Sequence, residues 1–285
     1  MGRTKIRQKG MAMTSCSKYD LLIEPGEIQN FSGDNLKIFD CRAGLSDPDV
    51  GYKKFLESHI SKSQYLSLEK DLSRNPGNRG RHPLPTKESW INTIRSFGID
   101  NSDQVVLYDE TGGSFAARAW WMFRWVGHEK VALLNGGWQA WEGPKSSGPN
   151  PKPYRSNFKI KSTLTKLITM QKLKTNESAQ LVDARSLERW SGEKEPIDRV
   201  AGHIPSAVCY PFTENLEDGN RFKSETELRL RFQDLKEPIV CYCGSGVTAA
   251  HNILSLKIAG FSEPTLYAGS WSEWIEYDEN PIARN

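Results

Sequence analysis

A chain of 285 residues is longer than most single domains and has room for two cores of roughly 130 residues each. Its net charge of +3 is close to balance, which leaves no broad basic footprint for nucleic acid as a direct ligand. No apolar run approaches the roughly 18 residues that a membrane helix needs, so an integral membrane protein is excluded.

The first eighteen residues, MGRTKIRQKGMAMTSCSK, carry Arg3, Lys5, Arg7, Lys9 and Lys18, with no acid before Asp20. That composition fits a mitochondrial targeting segment and equally an ordinary basic tail, so a mitochondrial or cytoplasmic location is expected. From residue 19 to residue 142 the apolar runs "KIFD", "QVVLYD" and "KVALL" alternate with helix-period segments. A stretch rich in Pro, Gly and Ser follows, "EGPKSSGPNPKPYRS", and reads as an extended connector over 143–156. In the remainder, 157–285, "QLVDA", "PIVCYC" and "PTLYA" restore the same alternation. Apolar runs bounded by turn residues and separated by helices predict buried strands of a mainly parallel sheet, so each half is expected to be a small α/β domain. The stretch "VTAAHNILSLKIAGF" is apolar at helical spacing and ends at Gly260, a good left-handed terminator.

The two halves repeat one another. "IFDCR" at 38–42 answers "LVDAR" at 181–185, "ESHI" at 57–60 answers "AGHI" at 201–204, and "VVLYD" at 105–109 answers "IVCYC" at 239–243. "LLNGGWQAW" and "TLYAGSWSEW" complete the series. Four blocks in one order, with offsets of 133 to 144 residues, mean a duplicated domain rather than a short-period array.

In such domains ligands gather beyond the carboxyl ends of the strands. Cys243 stands there, between the strand 239–242 and a helix expected to begin near Val247. Gly244 and Gly246 permit a tight loop whose amides converge on one point, an anion nest that stabilises a thiolate and any sulfur bound to it. Cys243 is therefore a nucleophile candidate, whereas Cys241, in mid-strand, reads as a buried apolar thiol. A phosphatase loop would need an Arg six residues after the Cys, where Ala249 stands, and the Lys of a nucleotide-binding glycine loop is missing. The five cysteines, an odd number in a chain with no secretory signal, suggest free thiols in a reducing compartment. No His or Cys cluster at zinc-finger spacing completes a site around Cys241 and Cys243, so neither a metal nor a cofactor is expected.

The loop from Cys243 through Thr248, with "VDAR", "AGHIP" and "GSWSEW", resembles tandem-domain rhodanese-type sulfurtransferases over about residues 19–280. The resemblance implies two rhodanese-like domains, the first a non-catalytic copy with Asp109 in place of Cys243. It also implies a sulfurtransferase that works through a Cys243 persulfide. Cys-Gly-Ser-Gly-Val-Thr is the loop of members that use 3-mercaptopyruvate, while thiosulfate-preferring members have basic residues after the Cys. The implied donor is therefore 3-mercaptopyruvate, with pyruvate released, and thiosulfate is the alternative. Implied acceptors are cyanide, small thiols, a thioredoxin-like dithiol or a tRNA-thiolation relay. The resemblance assigns substrate contacts to Gly244, Gly246, Val247 and Thr248, and a carboxylate-binding role to Arg189. A second such arginine follows "EP" in the family; here "EPIDR" places Arg199 two residues beyond that position. Arg185 is read as the partner of an acid that holds the loop. A Ser-His-Asp relay across the domains is implied, matched to Ser245, His59 and Asp49, with Asp47 a neighbouring choice and His203 structural.

Overall fold

Runs rich in Val, Ile, Leu and Tyr form the strands, and where both faces of a sheet are covered they need no polar alternation. The computed structural model describes residues 19–151, 153–176 and 178–285. The basic segment 1–18, with Cys16 and the expected targeting role, lies outside the described residues. In chain order the strands are β1 (Leu22–Ile23), β2 (Leu36–Asp40), β3 (His59–Ile60), β4 (Gln64–Tyr65), β5 (Gln104–Tyr108), β6 (Val131–Leu134) and β7 (Lys145–Ser146). In the second half they are β8 (Lys166–Leu167), β9 (Gln180–Asp183), β10 (Val208–Cys209), β11 (Ile239–Tyr242) and β12 (Thr265–Leu266).

Two parallel sheets result, ordered β1-β6-β5-β2-β4 and β8-β12-β11-β9-β10, so the second repeats the first strand for strand. The register repeats as well: Asp40 lies opposite Tyr108, and Asp183 opposite Tyr242. At the end of β2, Asp40 holds Arg42 through a pair of 2.6 Å, and Arg42 lies over the Trp138 ring at 4.7 Å. Asp183, Arg185 and Trp271 build the same joint at 2.6 and 5.0 Å. All four ionised groups of these two pairs are buried, so each charge depends on its partner.

The connector is tied down rather than free. Strand β7 pairs antiparallel with β3, Gly148 donates its amide to Leu56 O, and Phe158 is fully buried beside His128. Lys161 and Leu164 donate to Val126 O and Arg124 O, so the chain follows the first unit until β8 begins.

The halves share one apolar core. The helix Ala116–Trp125 packs on the helix Ala249–Ile258, and residues 116–124 of the one and 249–256 of the other are all buried. Both are buried on every face, and their polar members Arg118, Arg124, His251, Asn252 and Ser255 each find internal hydrogen-bond partners. Both helices begin with small buried residues, Ala116, Ala117 and Ala119 in the one and Ala249 and Ala250 in the other. At the joint His251 is completely buried; Nε2 lies 2.9 Å from Gly112 O, Nδ1 lies 3.2 Å from the Asn215 amide nitrogen, and Phe222 stacks on the ring at 4.6 Å. The carbonyl can only accept and the amide nitrogen can only donate, so the ring is neutral with its proton on Nε2.

Burial pulls the pKa of His251 from 6.5 down to about 4. The folded value lies below the unfolded one, so protonation favours the unfolded chain. Stability from this residue is whole above pH 6.5 and falls between pH 6.5 and 4. The fall is on the order of 1.4 kcal/mol per pH unit. Thermal unfolding at several pH values across that window should show a shallower loss of Tm for His251→Gln than for the wild type; identical slopes would refute the assignment.

Candidate active site

Strand β11 delivers Cys243 to the end of the second sheet, and the loop 243–248 turns there into the helix Ala249–Ile258. Gly246 has φ +76°, and a Cβ on it would stand 2.2 Å from Ala268 O, so only glycine fits. Its amide donates to Cys243 Sγ at 3.1 Å. The backbone of Cys243 is fixed on both sides: its amide donates to Ser270 Oγ at 3.1 Å, and its carbonyl accepts from Trp271 N at 2.9 Å. The thiol is nearly buried and opens on a cavity of about 340 Å³ between the halves, with Leu45, Phe115, Phe212 and Val247 on its apolar side and Thr248 nearby. The amides of Ser245, Val247, Thr248 and Ala249 have no acceptor among the described residues.

The first half shows what such a loop holds. At the position of Cys243 stands Asp109, whose Oδ1 accepts from the amides of Thr111 (2.9 Å) and Gly113 (2.8 Å). Its Oδ2 accepts from Phe115 (2.8 Å) and Ala116 (2.9 Å). Four amides converge on one carboxylate, which makes the turn an anion nest. At the matching place in the second half stands a sulfur, which accepts one amide, that of Gly246.

A cluster of cations roofs the loop. Arg189 places Nε 3.0 Å from both oxygens of Glu195 and Nη2 2.9 Å from Asp198 Oδ2. Asp198 Oδ1 is bound by Arg81, which comes from the first half. Arg185 pairs with Asp183 and reaches Glu195 at 3.3 Å. Three arginines thus face three buried acids, so the site carries strong donors with little net charge. Burial lowers the pKa of Arg81 from its ordinary value, while the Cys243 sulfur pushes the other way. Gly244 lies beneath; a Cβ there would meet Arg81 Nη2 at 2.8 Å and Arg189 Nη2 at 3.4 Å. Arg199 does not join them: its guanidinium donates to Ile275 O and faces Asp278 at 3.8 Å, half exposed. The expectation for Arg199 is corrected: it stands two residues beyond the family position and its guanidinium is spent on Ile275 O.

The expected relay is also corrected. His59 is buried, stacks on Phe55 at 4.0 Å and binds Phe55 O at 2.7 Å and Asn150 Nδ2 at 3.0 Å. His203 does the same on Trp190, at 4.2 Å with 2.7 Å to Trp190 O, so the duplicated histidine closes the helix of each domain. Asp49 stands just before the helix Val50–Glu57, without a capping bond from its side chain, and lines a separate cavity with Tyr52 and Tyr65, while Asp47 binds Lys53. The partner of Ser245 is His82, with Nδ1 at 2.7 Å from Ser245 Oγ and Nε2 at 3.1 Å from Glu69 Oε1. An ionised carboxylate only accepts, so Nε2 carries the proton and Nδ1 accepts from the serine hydroxyl. The available signal was negative: His82, in "RHPLP", has no counterpart among the repeated blocks.

Arg118 closes the arrangement. It is fully buried in the helix Ala116–Trp125 and donates to Gly246 O at 2.9 Å, His82 O at 2.9 Å and Leu72 O at 3.2 Å. Burial pulls its pKa down to about 10, against the Cys243 sulfur, so it stays charged at neutral pH.

One α/β unit built twice, with a thiol in the nest of one copy and a carboxylate in the other, defines a tandem enzyme for transfer chemistry on sulfur. The rhodanese-like domain model matches residues 24–144 and again 167–277. The chain belongs to the rhodanese-like family and is a sulfurtransferase acting on small sulfur donors. It is 42% identical to a probable 3-mercaptopyruvate sulfurtransferase of Pseudomonas aeruginosa, over 87% of this chain and 92% of that protein. It is 31% identical to the thiosulfate sulfurtransferase of Gallus gallus, over 93% and 94%. Among solved structures, the 3-mercaptopyruvate sulfurtransferase from Leishmania major superposes with a TM-score of 0.79 at 30% identity, covering 90% of this chain and 74% of that one.

Burial lowers the pKa of His82 below its ordinary value of 6.5, with Glu69 opposing and Arg118 assisting. The imidazole is therefore neutral at neutral pH, and protonation at lower pH removes the acceptor that Ser245 needs. If His82 must be neutral for turnover, the acid limb of kcat/KM should lie below pH 6.5 and move lower still in Glu69→Gln, which loses the opposing charge. A limb unmoved by that change would show that His82 does not set it.

Proposed function

We propose that the enzyme takes sulfur from 3-mercaptopyruvate, carries it as a Cys243 persulfide and passes it to a thiol or to cyanide. The observation that carries this reading is the open nest: Cys243 Sγ uses one amide, and neighbouring loop amides remain free to receive an outer sulfur. In the first half-reaction the Cys243 thiolate attacks the thiol sulfur of the donor. A sulfur–sulfur bond forms, the sulfur–carbon bond breaks, and its electron pair leaves on carbon as the enolate of pyruvate. The proton of the donor thiol ends on that carbon, giving pyruvate; Ser245 and His82 form the path that can carry it. In the second half-reaction an acceptor thiolate takes the outer sulfur and returns the Cys243 thiolate.

The balanced charge of the roof favours a monoanionic keto acid over a dianion such as thiosulfate, because each arginine already faces a carboxylate. Thiosulfate is then the slower donor. The physiological acceptor in this role is a thiol, of the thioredoxin kind or within a tRNA-thiolation relay. The enzyme works in a reducing compartment, mitochondrial or cytoplasmic, with Cys41, Cys209, Cys241 and Cys243 as free thiols.

Pyruvate release from 3-mercaptopyruvate should exceed thiocyanate formation from thiosulfate, and Cys243→Ser should abolish both. Ser245→Ala and His82→Ala should cost on the order of 10²-fold with 3-mercaptopyruvate and much less with thiosulfate, which brings no proton to move. Equal losses on the two donors would sink the proton path, and an active Cys243→Ser protein would sink the mechanism.

A further inference from the structure

Between Asp71 and Glu88 the chain carries Arg74, Arg79, Arg81 and Lys87 and no acid. Arg81 is paired with Asp198, whereas the guanidinium groups of Arg74 and Arg79 have neither an ion pair nor a hydrogen bond among the described residues. Neither lines the Cys243 cavity. We infer that Arg74 and Arg79 form a second anion site, on the loop that crosses from the first domain to the second, for a small doubly charged oxyanion of sulfur or phosphorus.

The loop holds donors that nothing in the chain satisfies. Arg74 Nε is buried without a partner, and so is Oγ of the adjacent Ser73, a residue only 5% exposed. Buried donors left unmatched are rare in folded chains and call for an acceptor. Charge points the same way. Burial lowers the pKa of Arg74 from its ordinary value, and the neighbouring charge of Arg79 adds to the effect, so two cations stand close together without an acid between them. Glu273 faces Arg79 from beyond ion-pair distance, and burial raises its own pKa. A bound dianion would relieve that repulsion.

Both arginines leave from anchored backbone. The Arg74 amide donates to Pro83 O at 3.1 Å, and Leu72 O and His82 O both accept from Arg118 Nη2, which ties the ends of the loop together. Gly80, at φ +85°, packs where a Cβ would stand 2.7 Å from Gly269 O, and the Arg81 amide donates to Ser272 Oγ at 3.1 Å. Residues 75–78 between them are exposed, with open space beside Gly77, so the way in is clear. Guanidinium groups fit such a ligand because their planar forks offer paired N–H donors to paired oxygens. An anion bridging Arg74 and Arg79 would stiffen the segment that ends in Arg81 and His82, and so reach the sulfur loop without entering it.

The probe is sodium sulfate, titrated by calorimetry at constant ionic strength with sodium chloride as the balancing salt, and with phosphate and sulfite as parallel arms. Sulfate should bind saturably and raise the Tm of the wild type. Arg74→Gln and Arg79→Gln should each weaken sulfate binding by on the order of 10-fold or more, and Arg74→Lys by less than Arg74→Gln. Arg189→Gln, which alters the Cys243 cavity, should leave the affinity within about twofold, because the two sites share no residue. Without sulfate, Arg74→Gln and Arg79→Gln should match the wild type in Tm and keep kcat/KM within about threefold, which separates loss of this site from misfolding or damage at Cys243. Tighter binding of sulfite and sulfate than of phosphate assigns the site to sulfur oxyanions, and the reverse order assigns it to phosphates. Undiminished sulfate binding in Arg74→Gln and Arg79→Gln would overturn the proposal. Loss of binding in Arg189→Gln alone, or an equal rise of Tm in chloride, would do the same.

Discussion

A guanidinium with no carboxylate beside it is an expensive thing to bury, and Arg118 is buried completely. Its three carbonyl partners explain what is obtained in exchange. Gly246 belongs to the sulfur loop of the second domain, and Leu72 and His82 flank the segment of the first domain that reaches across to it. One side chain thereby fixes the distance between the nucleophile's loop and the loop bearing Arg81 and His82. The sulfur of Cys243 in turn opposes the effect of burial on this guanidinium, so the group that joins the domains is coupled to the nucleophile. Interface and reactivity rest on the same contact.

Much of the fold was readable because it repeats. Every interior strand corresponds to an apolar run that occurs twice, and the anion-nest turn was visible from Gly244 and Gly246. Two-residue edge strands such as β1 and β10 carry too little pattern to be seen. Within the site the repeat had a second lesson that spacing alone concealed. His59 and His203 occupy matching places and make matching contacts, so both serve the fold. The residues that meet around the sulfur loop include several the duplication did not keep in both copies: Cys243, His82, Glu69 and Arg81. Arg81 and His82 meet loop 243–248 only because the two central helices bring the halves together. No local periodicity encodes a contact across 163 residues, such as that from His82 to Ser245.

The roof of the site shows how a catalytic cavity can be rich in arginine without being strongly charged. Asp183, Glu195 and Asp198 are each buried and each shared or paired with a guanidinium. The network fixes donor directions at the cost of net attraction, which suits a site that must release an anionic product as readily as it binds an anionic donor. Gly244 is the geometric condition for this: any side chain would displace the arginines.

Asp109 has a consequence for stoichiometry. Its two oxygens saturate the nest of the first domain with four amide bonds, leaving nothing there for an external anion to bind. A chain with two nearly superposable folds therefore has a single loading berth, and its cargo travels one atom at a time. The spare copy, relieved of carrying anything, is free to serve as a wall of the cavity.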